Sequence, residues 1–227
     1  MFVTRSWHRT PLAGLVALSL ALTASRPLAA QEEGVLPARA ATERPLASPR
    51  VSGFVGRVVS VTRGESAFGD EKEAEVGIGE DFPLVALAGG ATPVTLEFGV
   101  QVYGRFSLDD PKTALISNDW VVGFNTVADL GRVLLALRLY HESSHLGDEY
   151  VQQFSAERLD WSREVASLWV AYRAGPFTLH GNVALTLLDE LGLERPSAAL
   201  AVDWQGKPGR FLGLRVRPVA GIYSEGA

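Results

Sequence analysis

Strict alternation of apolar and polar residues is the feature that most constrains how this chain can fold. In the stretch VTLEFGVQVYGRFS, residues 94–107, successive side chains belong to two chemically different sets. A period of two residues predicts a β-strand whose two faces meet different surroundings. One set is Val94, Leu96, Phe98, Val100, Val102 and Phe106, and the other is Thr95, Glu97, Gln101, Tyr103, Arg105 and Ser107.

The same alternation recurs along the chain and predicts an all-β fold. Further alternating runs lie at 120–125, 132–141, 164–172, 177–187, 200–205 and 212–223, with less cleanly separated ones near 51–62 and 73–88. These runs amount to roughly nine strands, several of them longer than the ~5 to 6 residues of an average globular strand. No helical period is evident after residue 31.

The links between the predicted strands alternate in length. The long links SLDDPKTALISN, SSHLGDEYVQQFSAERLD and DELGLERP alternate with the short links ADLG, AGP and GKPG. In an up-and-down antiparallel meander, alternate links lie at opposite ends of the sheet, so the long links gather at one rim. Short periplasmic turns and long extracellular loops are typical of outer-membrane barrels. We therefore predict an antiparallel up-and-down outer-membrane β-barrel domain over residues 51–227.

A soluble barrel gives the same alternation, because it turns its apolar face inward. Three features favour the membrane version. Charged and amide side chains recur on the polar face, aromatic residues lie near strand ends, and the strands are long enough to cross a bilayer at a tilt. The expected location is the bacterial outer membrane, and the expected partners are the lipid bilayer and lipopolysaccharide. A soluble periplasmic ligand-binding barrel stays open as an alternative.

The first residues predict export. A basic leader containing Arg5 and Arg9 precedes the apolar stretch LAGLVALSLALTA, which is too short to span a bilayer comfortably, and PLAA then offers small residues for cleavage. We predict a signal peptide over residues 1–30.

The two flanks of the barrel domain differ from its strands. Residues 31–50 are rich in Ala, Pro and charge without periodicity, which predicts a flexible tether. At the other end the sequence closes on AGIYSEGA, without a terminal aromatic strand end. Because bacterial barrels close with an even number of strands, we expect a barrel that is incomplete at the C-terminus, as in a truncated product.

Composition excludes several classes of function. The formal net charge is −5 and the charges are interspersed, so no basic stripe indicates nucleic acid as a partner. The chain has no cysteine, which excludes disulfides, cysteine-ligated metals and thiol nucleophiles. The sequence indicates no cofactor.

One polar cluster, RLYHESSHLGDEY, follows the apolar run of the 132–141 strand. About ten residues at ~3.3 Å each and a tilt near ~40° rise roughly 25 Å, so His141 is expected at the outer interface. His141 and Ser143 continue the face of Leu137 and Leu139, which is the face opposite Arg138. Both side chains are therefore predicted to point outward, where His141 could take the proton of Ser143.

This pair resembles the His-x-Ser motif on the outside of two membrane-embedded lipid hydrolases, outer-membrane phospholipase A and lipid A 3-O-deacylase. In those families an Asn or Glu on the next strand orients the histidine, and Glu164 is in phase for that role here. The resemblance implies a lipid-ester hydrolase with catalytic residues His141, Ser143 and Glu164. The sequence departs from those lipases after the serine, where Ser144 and His145 follow instead of Asn and a small residue.

Two other interpretations of the cluster stay open. His141, His145, Asp148 and Glu149 have side chains that bind metals, although we assign no metal site. Alternatively the cluster is an ordinary polar rim, in which Gly147 and Asp148 form a turn.

The longer string HESSHLGDEY, with NDWVVGF before it and Arg158, Arg163 and Glu164 after it, closely resembles the family called domain of unknown function 1207. Its hallmark His-x-Ser-Ser-His-x-Gly-Asp-Glu is matched at His141, Ser143, Ser144, His145, Gly147, Asp148 and Glu149, and the resemblance covers residues 94–205. It implies an outer-membrane-type β protein and no activity. The expected function is therefore a structural or pore-type barrel protein, with the hydrolase and the soluble ligand-binding barrel as alternatives.

Overall fold

The structure, a computed structural model, describes most of the chain after residue 41. The described residues are 34–35, 42–48, 50, 53–60, 72–89, 92–110, 112–154, 160–190, 196–211 and 214–226. The predicted signal peptide lies outside them.

Strands make up nearly all of the described secondary structure, which confirms the predicted all-β class. The strands are β1 Gly34–Val35, β2 Gly53–Ser60, β3 Lys72–Gly89, β4 Thr92–Ser107, β5 Leu115–Asp129, β6 Val133–Leu146, β7 Asp160–Ala174, β8 Phe177–Asp189, β9 Pro196–Gln205, β10 Gly209–Phe211, β11 Leu214–Val216 and β12 Val219–Gly226. The helix is α1 Asp148–Phe154.

The strands form one antiparallel meander that curls into a half-barrel. Strands β3 to β9 pair in chain order, β1 and β2 both pair with β3, and β12 pairs with β9. Within the described residues the two edges, β2 and β12, are not hydrogen-bonded to each other. The prediction of an incomplete barrel is thus consistent with the fold.

The links follow the predicted asymmetry except at the C-terminal end. The long links after β4 and β6 lie at one end of the sheet, here called the long-link rim, and the turns after β5 and β7 lie at the other, here called the tight-turn rim. The short link predicted at GKPG is wrong, because β10 and β11 form a separate two-stranded sheet before β12 returns to β9. The predicted last strand is therefore two strands, and its residue Leu212 lies outside the described residues.

The expectation of no helix is also wrong, since α1 begins directly after β6. Seven residues give too short a window for a helical period to stand out. No helix in the described part of the chain is long and apolar enough to cross a membrane.

The two faces of the sheet have opposite chemistry. The concave face buries charged and amide side chains, among them Glu73, Asp81, Glu97, Gln101, Asn125, Arg138, Glu142, His180 and Asp203. The convex face exposes large apolar side chains, among them Phe54, Ile78, Phe124, Leu137, Leu139, Leu168, Leu179, Val183 and Leu200. A small apolar cluster of Val127, Leu134, Ala136 and Ala171, packed against Trp169, lies inside near the tight-turn rim. The predicted assignment of faces on β6, with Arg138 opposite Leu137 and Leu139, agrees with this burial.

Domain boundaries stay a prediction, but part of the predicted tether lies against the sheet. Residues 42–48 and Arg50 cross the concave face and hydrogen-bond with β3, β4, β6 and β9. We call these residues the N-terminal segment.

The tight turn between β7 and β8 depends on one glycine. Gly175 has a φ of 62°, in the left-handed region, and a side chain there would meet open space. Gly175→Ala should therefore destabilise the fold through backbone strain alone, by about 1 kcal/mol. Gly56→Ala is the matched control, because Gly56 also faces open space and has no positive φ. Urea unfolding of the refolded protein checks this, and equal midpoints for the two variants would contradict it.

Candidate functional site

The motif strand β6 divides its polar residues between two faces. Glu142 is fully buried on the concave side, whereas His141, Ser143 and His145 lie on the convex side at the long-link rim. The pairing of β6 with β5 and β7 runs through this stretch without a bulge, so the alternation is unbroken. The motif therefore builds two separate sites, one outside and one inside.

On the outside, His141 is joined to the residue predicted to orient it. His141 lies opposite Glu164 of β7 in the strand register, and its Nδ1 is 2.7 Å from Glu164 Oε1. Both side chains keep between a third and a half of their surface exposed, so solvent or lipid reaches them. The catalytic roles of the two residues stay a prediction.

Ser143 is beside this pair but not bonded to it. It lies two residues from His141 on the same face, opposite Ser162 on β7 and Trp120 on β5. In the described part of the chain, no hydrogen bond joins the Ser143 hydroxyl to His141. The structure thus brings two of the three predicted catalytic residues into contact and leaves the third, Ser143, adjacent.

A second histidine–carboxylate pair lies on the other side of Ser143. His145 Nδ1 is 3.2 Å from Asp160 Oδ1, and both side chains are exposed. Asp160 was not among the predicted site residues. Its position four residues before Glu164 puts it on the same face of β7, so the strand period could have indicated it.

On the inside, Glu142 is the centre of an ion-pair cluster. It accepts hydrogen bonds from Arg163 on β7, at 2.8 Å from Nε and 2.6 Å from Nη2, and it also binds Arg50 of the N-terminal segment. Ser144 donates to Asp119 Oδ1 at 2.6 Å, and Arg50 lies 3.2 Å from the other oxygen of Asp119. Sequence reasoning passed over Glu142, although its inward phase follows from that of His141.

At the end of the motif, Gly147 lies against β5 and α1 begins at Asp148. The predicted turn at Gly147 and Asp148 is therefore wrong. Gly147 donates its N–H to Ile116 O at 2.9 Å. A Cβ on Gly147 would lie 1.9 Å from the Leu115 carbonyl oxygen, so only glycine fits. Asp148 and Glu149 form the first turn of α1, where negative charge complements the helix dipole.

The metal hypothesis receives no support from this geometry. His141 and His145 each pair with a separate carboxylate, and Asp148 and Glu149 belong to the exposed start of α1. The described residues contain no group of three or more His, Asp or Glu that could hold a metal ion.

Buried carboxylates of the concave face hold the N-terminal segment. Glu97 binds the backbone N–H and hydroxyl of Thr42, and Asp81 binds Arg44 at 2.9 Å. Asp203 accepts the backbone N–H of Leu46 at 3.0 Å. With Arg50 bound at Glu142, the segment extends from the tight-turn rim to the long-link rim.

Asp203 has a second buried partner. Its Oδ2 lies 3.0 Å from His180 Nε2, and both side chains are almost fully buried. His180 on β8 and Asp203 on β9 both fall on the polar face of their alternating runs, so their inward direction was predictable. Their contact was not, because it joins diagonal rather than directly opposed positions.

Comparison with known proteins identifies a family. The family model described as "Protein of unknown function (DUF1207)" matches residues 9–183. This match confirms the resemblance carried by the HESSHLGDEY string, although it begins and ends earlier than the 94–205 stretch predicted. The outer-membrane character and the lipase resemblance stay predictions. No curated protein and no solved structure matches the chain.

The two faces of the motif predict different costs for the same substitution. Glu142→Gln removes the buried charge that pairs with two arginines. We expect it to lower the free energy of unfolding by about 2–3 kcal/mol, a moderate loss because both arginines keep some solvent contact. Glu164→Gln, on the outer face, should cost under about 1 kcal/mol, as exposed pairs do. Reversible urea unfolding of the refolded protein measures both, and a Glu164→Gln loss as large as that of Glu142→Gln would be inconsistent with this account.

Proposed function

Since the chain belongs to the family described as protein of unknown function DUF1207, whose description names no activity, we propose a role from the geometry of the sheet: it forms the wall of an outer-membrane β-barrel. The observation that carries this proposal is the polarity of the two faces. Apolar side chains point outward and charged ones point inward.

In water, a barrel with apolar side chains outside and charged side chains inside would be unfavourable. A soluble barrel gains its stability by burying apolar side chains inside, at about 25 cal/mol per Å² removed from water. Here Leu137, Leu168 and Val183 are roughly half exposed on the convex face, while Glu97 and Glu142 are fully buried inside. A surrounding hydrocarbon layer would remove the convex side chains from water and so supply the free energy that a soluble barrel gains inside. This observation favours a membrane over the soluble ligand-binding alternative.

The ends of the strands also suit a bilayer. Trp120 is half exposed on the convex face near the long-link rim, and Phe177 and Trp204, which are opposed on β8 and β9, are exposed near the tight-turn rim. Aromatic residues at two levels are what interfacial girdles require. Strands β4 to β7 have 14 to 16 residues, more than the about 9–11 that a tilted strand needs to cross.

The interior supports a structural wall or a plugged pore rather than an open channel. The N-terminal segment lies on the concave face and is held there by Glu97, Asp81, Asp203 and Glu142. Plugging of a polar lumen by a segment of the same chain is known among outer-membrane barrels. Under this proposal the long links are extracellular and the tight turns periplasmic.

A pair of identical substitutions tests the membrane proposal. Leu137→Arg puts a charge at the centre of the convex face, where arginine costs about 2–4 kcal/mol in an outer-membrane barrel. We expect at least a several-fold lower recovery in the outer-membrane fraction. Leu130→Arg is the control, since Leu130 is similarly exposed but lies in the tight turn after β5. Recovery of the unmodified protein from the soluble periplasm would overturn the proposal.

A second candidate function is lipid-ester hydrolysis on the outer face, favoured by the hydrogen bond between His141 and Glu164. Glu164 would hold the Nδ1–H of His141, whose Nε2 would take the proton of the Ser143 hydroxyl as it attacks the ester carbonyl. The acyl group would move to Ser143, the alcohol would leave with the proton, and water would then release the fatty acid. Substrate binding would have to bring Ser143 and His141 within hydrogen-bond distance.

An assay on refolded full-length protein in vesicles of phospholipid or lipopolysaccharide tests this mechanism. Ser143→Ala and His141→Ala should each lower the rate of fatty-acid release at least about 100-fold. Ser162→Ala is the matched control, because Ser162 lies directly opposite Ser143 on β7 and should leave the rate unchanged. Hydrolysis that survives both substitutions, or none with either lipid, excludes the mechanism.

A further inference from the structure

The concave face contains a cavity of about 200 Å³ between the N-terminal segment and strands β4 to β9 and β12. Four arginines line it, Arg44, Arg50, Arg138 and Arg163. Three of them are paired with carboxylates: Arg44 with Asp81, and Arg50 and Arg163 with Glu142. The fourth, Arg138, differs.

Arg138 is a buried cation without a carboxylate of its own. Its Nε donates to Asn125 Oδ1 at 2.8 Å, and its guanidinium lies over the ring of Tyr140, 5.3 Å from the centroid. No carboxylate of the described residues lies within ion-pair distance of it, and its two Nη groups have no hydrogen-bond partner among those residues. Asp81, which Asn125 also contacts, is taken up by Arg44.

A second unfilled group lies directly beside it. Ser167 on β7 is the register partner of Arg138, and both side chains face the same cavity. Ser167 is only 4% exposed, and its hydroxyl has no hydrogen-bond partner in the described structure. Buried polar groups are nearly always satisfied, so the unsatisfied Ser167 hydroxyl, beside a guanidinium that donates only through its Nε within the described residues, indicates an absent partner.

The chemistry of that partner follows from the groups that would meet it. A guanidinium offers two parallel N–H donors, which match the two oxygens of a carboxylate, and a serine hydroxyl can donate to the same anion. The other lining side chains include Val121, Val165 and Trp169, which suit an apolar body. A cavity of about 150 Å³ accommodates benzene in an engineered protein, so this one is large enough for a small ring.

We propose that the cavity is a binding site for a small organic monocarboxylate, whose carboxylate lies between Arg138 and Ser167 and whose apolar part faces Trp169 and Val165. Arg44, Arg50 and Arg163 are each paired with a carboxylate, so Arg138 supplies the positive charge that the anion would meet. The site goes beyond the membrane role and rests on it only in that the concave face is the barrel interior.

The test uses the refolded full chain in detergent and benzoate as the probe, with benzamide as its neutral isostere. Titration calorimetry measures both affinities. We expect benzoate to bind at least tenfold more tightly than benzamide. Arg138→Gln should lower benzoate affinity at least tenfold, and Ser167→Ala should lower it by about 3- to 10-fold, as the loss of one hydrogen bond does. Arg132→Gln is the control and should leave the affinity unchanged, because Arg132 is exposed in the tight turn between β5 and β6.

Ser167→Ala keeps the proposal testable should Arg138→Gln fail to fold, because it removes one oxygen from a strand and leaves the ion pairs intact. Equal affinity for benzoate and benzamide, or full affinity in Ser167→Ala, would overturn the site. Binding of inorganic phosphate in place of benzoate would overturn the carboxylate assignment. Fractionation of the unmodified protein tests the membrane proposal separately, since binding is measured in detergent and does not depend on insertion.

Discussion

The rest of the structure depends on the ion pairs of Glu142, which join strands β6 and β7 to the N-terminal segment. This fully buried carboxylate joins Arg163 on the neighbouring strand to Arg50 on the N-terminal segment. A charge in that position is stable only while its partners stay on the same side of the sheet. The polar partners therefore occupy the concave face, and the apolar side chains are left on the convex face. The apolar convex face, on which the membrane proposal rests, is thus the counterpart of the internal ion pairs.

The HESSHLGDE string gains a physical explanation from its alternation. Its odd-numbered residues, from His141 to His145, form the outer row against β7, whereas Glu142 and Ser144 bind inner partners. Gly147 then permits the contact with Leu115 that leads into α1. Within the described residues, His141, Glu142, Ser144, His145 and Gly147 each have a structural reason. A family hallmark of this kind can therefore reflect the architecture of the rim, and a catalytic role has to be demonstrated by activity.

Period-two alternation carried most of what the sequence could predict. It located the long strands, assigned the faces of β6, and put Glu164 in phase with His141, because neighbouring strands in a meander share faces. It failed at α1, which is shorter than two helical periods, and at the β10–β11 hairpin, whose strands have three residues each. It could not reveal the path of the N-terminal segment, because segments without periodicity are positioned by tertiary contacts alone. The partners of Arg138 and Ser167 depend on the same distant packing.

The N-terminal segment has a consequence for how the protein acquires its shape. Its contacts with Glu97 on β4 and Asp203 on β9 join positions 55 and 157 residues away along the chain. The segment thus connects β4 and β9 across the concave face and helps to set the curvature of the sheet. Loops of that length are slow to close, because their entropy is lost before the contacts form. The N-terminal segment, which precedes β2 to β9 in the chain, can therefore reach its final position only after β9 has formed.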